Sequence, residues 1–124
     1  MHDGLRKVLG FAAIFEVATG LLLIFDPALV VALLLGPDAA SLDVLLGRFL
    51  GIALLALGVA CLPVGHRAQH GSRAIQGMLA YNVLVTLFLA YVGIGGHFEG
   101  PLLWPGVVLH AAVTLLLLWA WRSE

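Results

Sequence analysis

Polar residues break this chain into long apolar blocks. Predominantly apolar stretches cover residues 8–25, 42–62, 73–93 and 101–121. Each is long enough to cross a hydrocarbon core of ~30 Å as a helix. The pattern predicts an all-α protein: a four-transmembrane-helix up-down bundle, a single integral membrane domain over residues 1–124. A further apolar run, 28–35, is too short to span. Asp26 before it suits an N-cap, Pro27 suits the first helical position, and Gly36-Pro37 ends it. The expectation is a short interfacial helix between helices 1 and 2, lying in the interface or packed over the bundle mouth.

The first stretch sets the problem for the rest. Leu9, Ala12, Ala13, Glu16, Thr19, Gly20 and Leu23 share one helix face at ~100° per residue. Phe11, Ile14, Phe15, Leu21, Leu22 and Phe25 form the opposite, lipid-like face. Small residues allow close helix approach, and a carboxyl group avoids hydrocarbon, so the Glu16 face is expected to turn into the bundle. There Glu16 requires a proton, a cationic partner or water. The alternative is an interhelical hydrogen bond that only specifies packing.

The remaining spans each add polar groups. The second carries Gly47, Gly51 and Gly58 on one stripe, with Arg48 beside it; Asp38 or Ser41 is the expected cap. In the third, Ile75, Met78, Leu79, Asn82, Thr86 and Leu89 share a face, and Tyr81 points about 100° away from Asn82. In the fourth, Leu103, Gly106, His110, Thr114 and Leu117 align, with Trp104 at one end and Trp119 and Trp121 at the other. At about 1.5 Å per residue, Glu16, Asn82 and His110 all fall near the bilayer midplane. Arg48 falls nearer the outer side, within reach of it. Thr19, Thr86 and Thr114 lie one turn from Glu16, Asn82 and His110. The simplest expected chemistry is a Glu16–Arg48 ion pair completed by His110 and Asn82. A carboxyl group near an imidazole could also pass protons.

Composition and charge narrow the function classes. The chain is 62% hydrophobic and 10% charged, which a soluble domain of this size does not need. Its net charge of −1 gives no reason to expect nucleic acid as a partner. The single Cys61 excludes an internal disulfide and a paired redox thiol. His66 and His70, spaced i, i+4 in the polar loop with Arg67, lack a nearby acid or thiol, so no metal site is expected. One midplane histidine supplies one axial ligand, so no haem or other cofactor is expected. No serine lies within the spans to act as a nucleophile. Enzyme activity is therefore the least favoured reading. The first apolar run is too long, and too acidic at its centre, for a cleaved signal peptide. Arg6, Lys7, Arg67, Arg73 and Arg122 fall at the termini or the middle loop, whereas Asp26, Asp38, Asp43 and Glu99 mark the other two connections. That asymmetry predicts that both termini are cytoplasmic.

Two family resemblances add to this. Gly20 in the first helix, the break at Asp26-Pro27, the apolar segment ending at Gly36, and Arg48-x-x-Gly51 opening the second helix resemble the DoxX-like group of small bacterial four-helix membrane proteins. The likeness covers most of the chain and implies a fold and a compartment, the bacterial inner (plasma) membrane, more than a reaction. Glu16-Val17-Ala18-Thr19-Gly20 is similar to the first-helix acid region of the small multidrug resistance transporters. That shorter likeness implies a proton antiporter, dimeric, with Glu16 as proton carrier.

The candidate ligand-binding or proton-linked residues are thus Glu16, Arg48, Asn82, His110, Thr19, Thr86, Thr114 and Tyr81. The first reading is a binding or accessory protein. Its cluster would hold a small polar or lipophilic ligand, or a lipid or quinone headgroup, or support a partner membrane protein or second copy. The alternatives are a proton-coupled transporter using Glu16 and a purely structural membrane scaffold. An isolated Glu16, far from Arg48, would favour the transporter reading, and a closed Glu16–Arg48 pair without a cavity the scaffold.

Overall fold

The computed structural model describes residues 3–41, 44–63 and 71–123. These form α1 (Asp3–Phe25), α2 (Pro27–Leu35), a 3-10 turn (Pro37–Ser41), α3 (Val44–Cys61), α4 (Gly71–Gly95) and α5 (Leu103–Arg122). Among the described residues, α1, α3, α4 and α5 are long and apolar enough to cross a membrane. The protein is a multi-pass, all-α membrane bundle. His66, Arg67 and His70, and residues 42 and 43 beside the expected cap of the second span, lie outside the described residues.

Two antiparallel helix pairs build the bundle. In the α1–α3 pair, small residues replace side-chain packing with backbone contact. A Cβ placed on Gly20 would lie 2.7 Å from the Gly51 carbonyl oxygen, and one on Gly58 would lie 2.7 Å from that of Ala13. Gly47 makes room for the Pro27 ring, whose Cβ would lie 2.7 Å from a Cβ placed there. The predicted glycine stripe of the second span therefore faces the first helix, within the chain. In the α4–α5 pair, Gly93 receives the Trp104 ring and Gly106 lies against Leu89. Leu5, Leu9, Ala12, Ala13, Cys61, Ile75, Met78, Leu79, Val113, Leu117 and Ala120 join the pairs in one buried core. These residues come from the start of α1 and α4 and the end of α3 and α5, as up-down topology requires. The Cys61 thiol donates to the Ala74 carbonyl at 3.5 Å, tying α3 to α4.

α1 begins at Asp3, several residues before the apolar stretch. The expected polar start is helical because Leu5, fully buried, extends the i, i+4 stripe that Leu9 continues. Phe11, Ile14, Leu22 and Phe25 are exposed, the state expected of a lipid-facing surface.

The opposite end of the bundle is closed by α2. Asp26 caps it, its carboxylate accepting from the Leu29 amide at 3.1 Å, and Pro27 follows in the first turn. α2 packs over the bundle mouth: the Leu102 amide donates to the Leu33 carbonyl at 2.8 Å, and Gly100 lies against the backbone of Leu34. Gly36 leaves α2 at φ 97°, a conformation that a Cβ would strain. A cleft of about 450 Å³ opens here, lined by residues that include Asp38, His97, Phe98 and Glu99.

Candidate functional site

The polar site forms where α1, α4 and α5 converge. Leu9, Ala12, Ala13, Gly20 and Leu23 are buried around Glu16 because they share its stripe. Glu16 is only 2% exposed, Asn82 1% and His110 8%. No other polar or charged residue among those described is so buried.

The best-defined contact joins α4 to α5. His110 Nδ1 lies 2.8 Å from Asn82 Oδ1. The Asn82 amide nitrogen donates to the Met78 carbonyl on its own helix, also at 2.8 Å. Thr86 donates to the Asn82 carbonyl at 2.7 Å, and Thr114 to the His110 carbonyl at 2.8 Å. Each threonine hydroxyl proton is thus committed one turn back on its own helix.

Tyr81 links this pair to Glu16. Its hydroxyl adjoins the Glu16 side chain, close enough to interact with it. Its ring stands edge-on to the His110 imidazole, with centroids 5.8 Å apart and planes at 80°. Phe15 contacts His110 from α1 in the same fashion, at 6.3 Å and 80°. Glu16 Oε2 is buried and has no hydrogen-bond partner. A buried acceptor without a partner costs free energy on the order of 1–3 kcal/mol, more when charged.

Glu16, Tyr81, Asn82 and His110 are therefore brought together, with Thr86 and Thr114 behind them. Thr19 is half-buried on the Glu16 stripe. Arg48 is not part of this group. It is exposed on α3 and forms no ion pair with Glu16, which corrects the expected pairing. The reason is axial position. Gly51 packs against Gly20 and Gly47 against Pro27, which sets Arg48 level with the end of α1. Arg48 is only about 6 Å along α3 from its first residue, Val44. Glu16 lies deeper, roughly level with the stretch between Leu55 and Gly58. The 450 Å³ cleft is likewise at the mouth and is not lined by the Glu16 cluster.

The sequence makes Tyr81 a candidate site residue but does not predict its proximity to Glu16. A phenol at mid-span was the available signal, because a buried Tyr hydroxyl requires a partner. Phe15 is half-buried rather than lipid-facing because it borders the Glu16 stripe and covers His110. Among the described residues, no group of three His, Cys, Asp or Glu side chains is placed to hold a metal ion.

Comparison with protein-family models, curated proteins and solved structures finds no match to this chain. The all-α bundle of four spans agrees in general terms with the fold expected of the DoxX-like group.

Proposed function

We propose that this is a DoxX-like membrane-embedded binding protein whose Glu16 carboxyl group engages a small polar or lipophilic ligand. One observation carries the reading: Glu16 Oε2 is buried without a partner, beside side chains that are otherwise satisfied. A carboxyl group that served packing alone would be expected to have both oxygens paired. Tyr81 holds it from one side, and the Asn82–His110 pair builds a polar wall next to it. The basic residues Arg6, Lys7, Arg73 and Arg122 oppose Asp26, Asp38 and Glu99 across the bundle, which supports cytoplasmic termini in a bacterial inner membrane.

The second reading is a proton-coupled transporter, favoured by the separation of Glu16 from Arg48. Both readings are tested by following proton release from the purified protein as lipophilic cations are added, with Glu16→Gln as control. Thermal stability is followed in parallel from about pH 5 to about pH 9. Release in wild type that vanishes in Glu16→Gln supports ligand binding at Glu16. No release, with a large loss of stability in the variant, would leave Glu16 a structural group. Transport is then separated from binding by uptake into sealed vesicles under an imposed pH gradient.

A further inference from the structure

α3 has two opposite faces. Gly51, Leu54, Gly58 and Cys61 repeat at helical spacing and are buried. Leu45, Arg48, Phe49, Ile52, Ala56 and Val59 lie on the other side of the same helix and are exposed. Arg48 is the only charged residue of α3. Among the described residues it is also the only Lys or Arg at the mouth end of the bundle, which Asp26, Asp38 and Glu99 otherwise mark. Its guanidinium group has no hydrogen bond or ion pair among the described residues.

A charge on the lipid-facing side of a membrane helix needs water or a counter-charge. Arg48 stands about 6 Å along α3 from Val44, near enough to the helix end for its stem to lie on the apolar surface while its fork rises to headgroup level. The anion that a bilayer supplies at that level is the phosphodiester, which a guanidinium group binds through two parallel N–H···O bonds.

Inward from Arg48 the stripe is apolar. From Arg48 to Val59 it runs about 16 Å, close to half of a ~30 Å hydrocarbon core and so the depth of one leaflet. The face is cationic at one end and apolar over the length of one acyl chain. A second copy of the chain is a poorer occupant. Close helix contact in a bilayer requires small residues, and Gly47, Gly51 and Gly58 are already used against Pro27 and α1. The outward stripe instead carries Phe49, Ile52 and Val59.

We propose that the outward face of α3 is a phospholipid site in the mouth-side leaflet, with the phosphate on Arg48 and an acyl chain along Ile52, Ala56 and Val59. This site uses no residue of the Glu16 cluster and is independent of what binds there.

The test places the full chain, labelled with nitrogen-15 at its arginines, in phosphatidylglycerol bilayers. Distance-dependent dephasing by lipid phosphorus in NMR reads which guanidinium groups touch a phosphate. The Arg48 signal is the difference between wild type and Arg48→Gln, or Arg48→Lys if the first variant fails to fold. The expected result is strong dephasing of Arg48. It should persist at most of its strength when phosphatidylglycerol is diluted about tenfold with digalactosyldiacylglycerol, which has no phosphate, because the site concentrates the phospholipid. Dephasing that falls in proportion to the dilution means that Arg48 samples bulk lipid, and overturns the site. Absence of dephasing at Arg48 overturns the phosphate contact. If a dimer is then lost in Arg48→Gln, a second copy covers this face instead.

Discussion

Asn82 and His110, twenty-eight residues apart in sequence, meet through a 2.8 Å contact between Oδ1 and Nδ1 that ties α4 to α5 within the membrane-spanning bundle. Removing one partner leaves the other buried and unsatisfied. Asn82→Leu and His110→Leu should each lower stability by about 1–3 kcal/mol. The double variant should lose less than the sum, by about 1 kcal/mol, which is within the range for polar contacts between membrane helices. A double-mutant cycle measured by unfolding in mixed micelles checks this. Strict additivity would mean that the contact contributes nothing.

Arg48 offers a sharper contrast with Glu16. Exposed and remote from the cluster, Arg48→Gln should change stability by no more than about 0.5 kcal/mol. It should also leave Glu16-dependent proton release intact. A loss in Arg48→Gln as large as that in Glu16→Gln would revive the ion pair that the helix register rules out.

The α1–α3 interface predicts which glycines tolerate a methyl group. Gly51→Ala would drive its Cβ to 2.7 Å from the Gly20 carbonyl oxygen, so the helices must separate. The expected cost is about 1–3 kcal/mol. Gly77 on α4 has nothing within 4 Å of its virtual Cβ. Gly77→Ala should be neutral or stabilising by up to about 1 kcal/mol, through helix propensity. Comparing the two unfolding midpoints decides the matter, and equal losses would contradict the packing.

Tyr81→Phe removes the hydroxyl that reaches Glu16 while keeping the ring against His110. Stability should fall by about 1 kcal/mol. The infrared carboxyl band that disappears in Glu16→Gln should shift in frequency in Tyr81→Phe. An unmoved band would show that the phenol does not engage the carboxyl group.

Asp26 caps α2 through the Leu29 amide, and α2 closes the bundle mouth. Asp26→Ala should cost about 1 kcal/mol, whereas Asp26→Asn, whose amide oxygen can still accept from the Leu29 amide, should keep most of the stability. Hydrogen exchange along α2 should rise in the alanine variant before it rises in α4 or α5.

What the amino-acid sequence determined by itself is local. Span length follows from a rise of about 1.5 Å per residue, and the buried face of α1 follows from a repeat of about 3.6 residues. Span number, the Glu16 stripe, the Asp26-Pro27 start of α2 and the similar depths of Glu16, Asn82 and His110 were legible for that reason. The glycine stripe of α3 was legible too, because close helix contact requires small side chains wherever the partner lies. The partner of each polar group was not. Whether Glu16 meets Arg48 or Tyr81 depends on the axial register of α1 against α3 and on which helices adjoin. Both are set by packing across the bundle: Gly51 on Gly20 and Gly47 on Pro27 slide Arg48 to the mouth. The α4–α5 pairing likewise turns Asn82 onto His110, leaving Glu16 beside Tyr81 with Oε2 unpartnered. Periodicity assigns a residue a face and a depth on its own helix, but only the tertiary structure brings two such faces to one place.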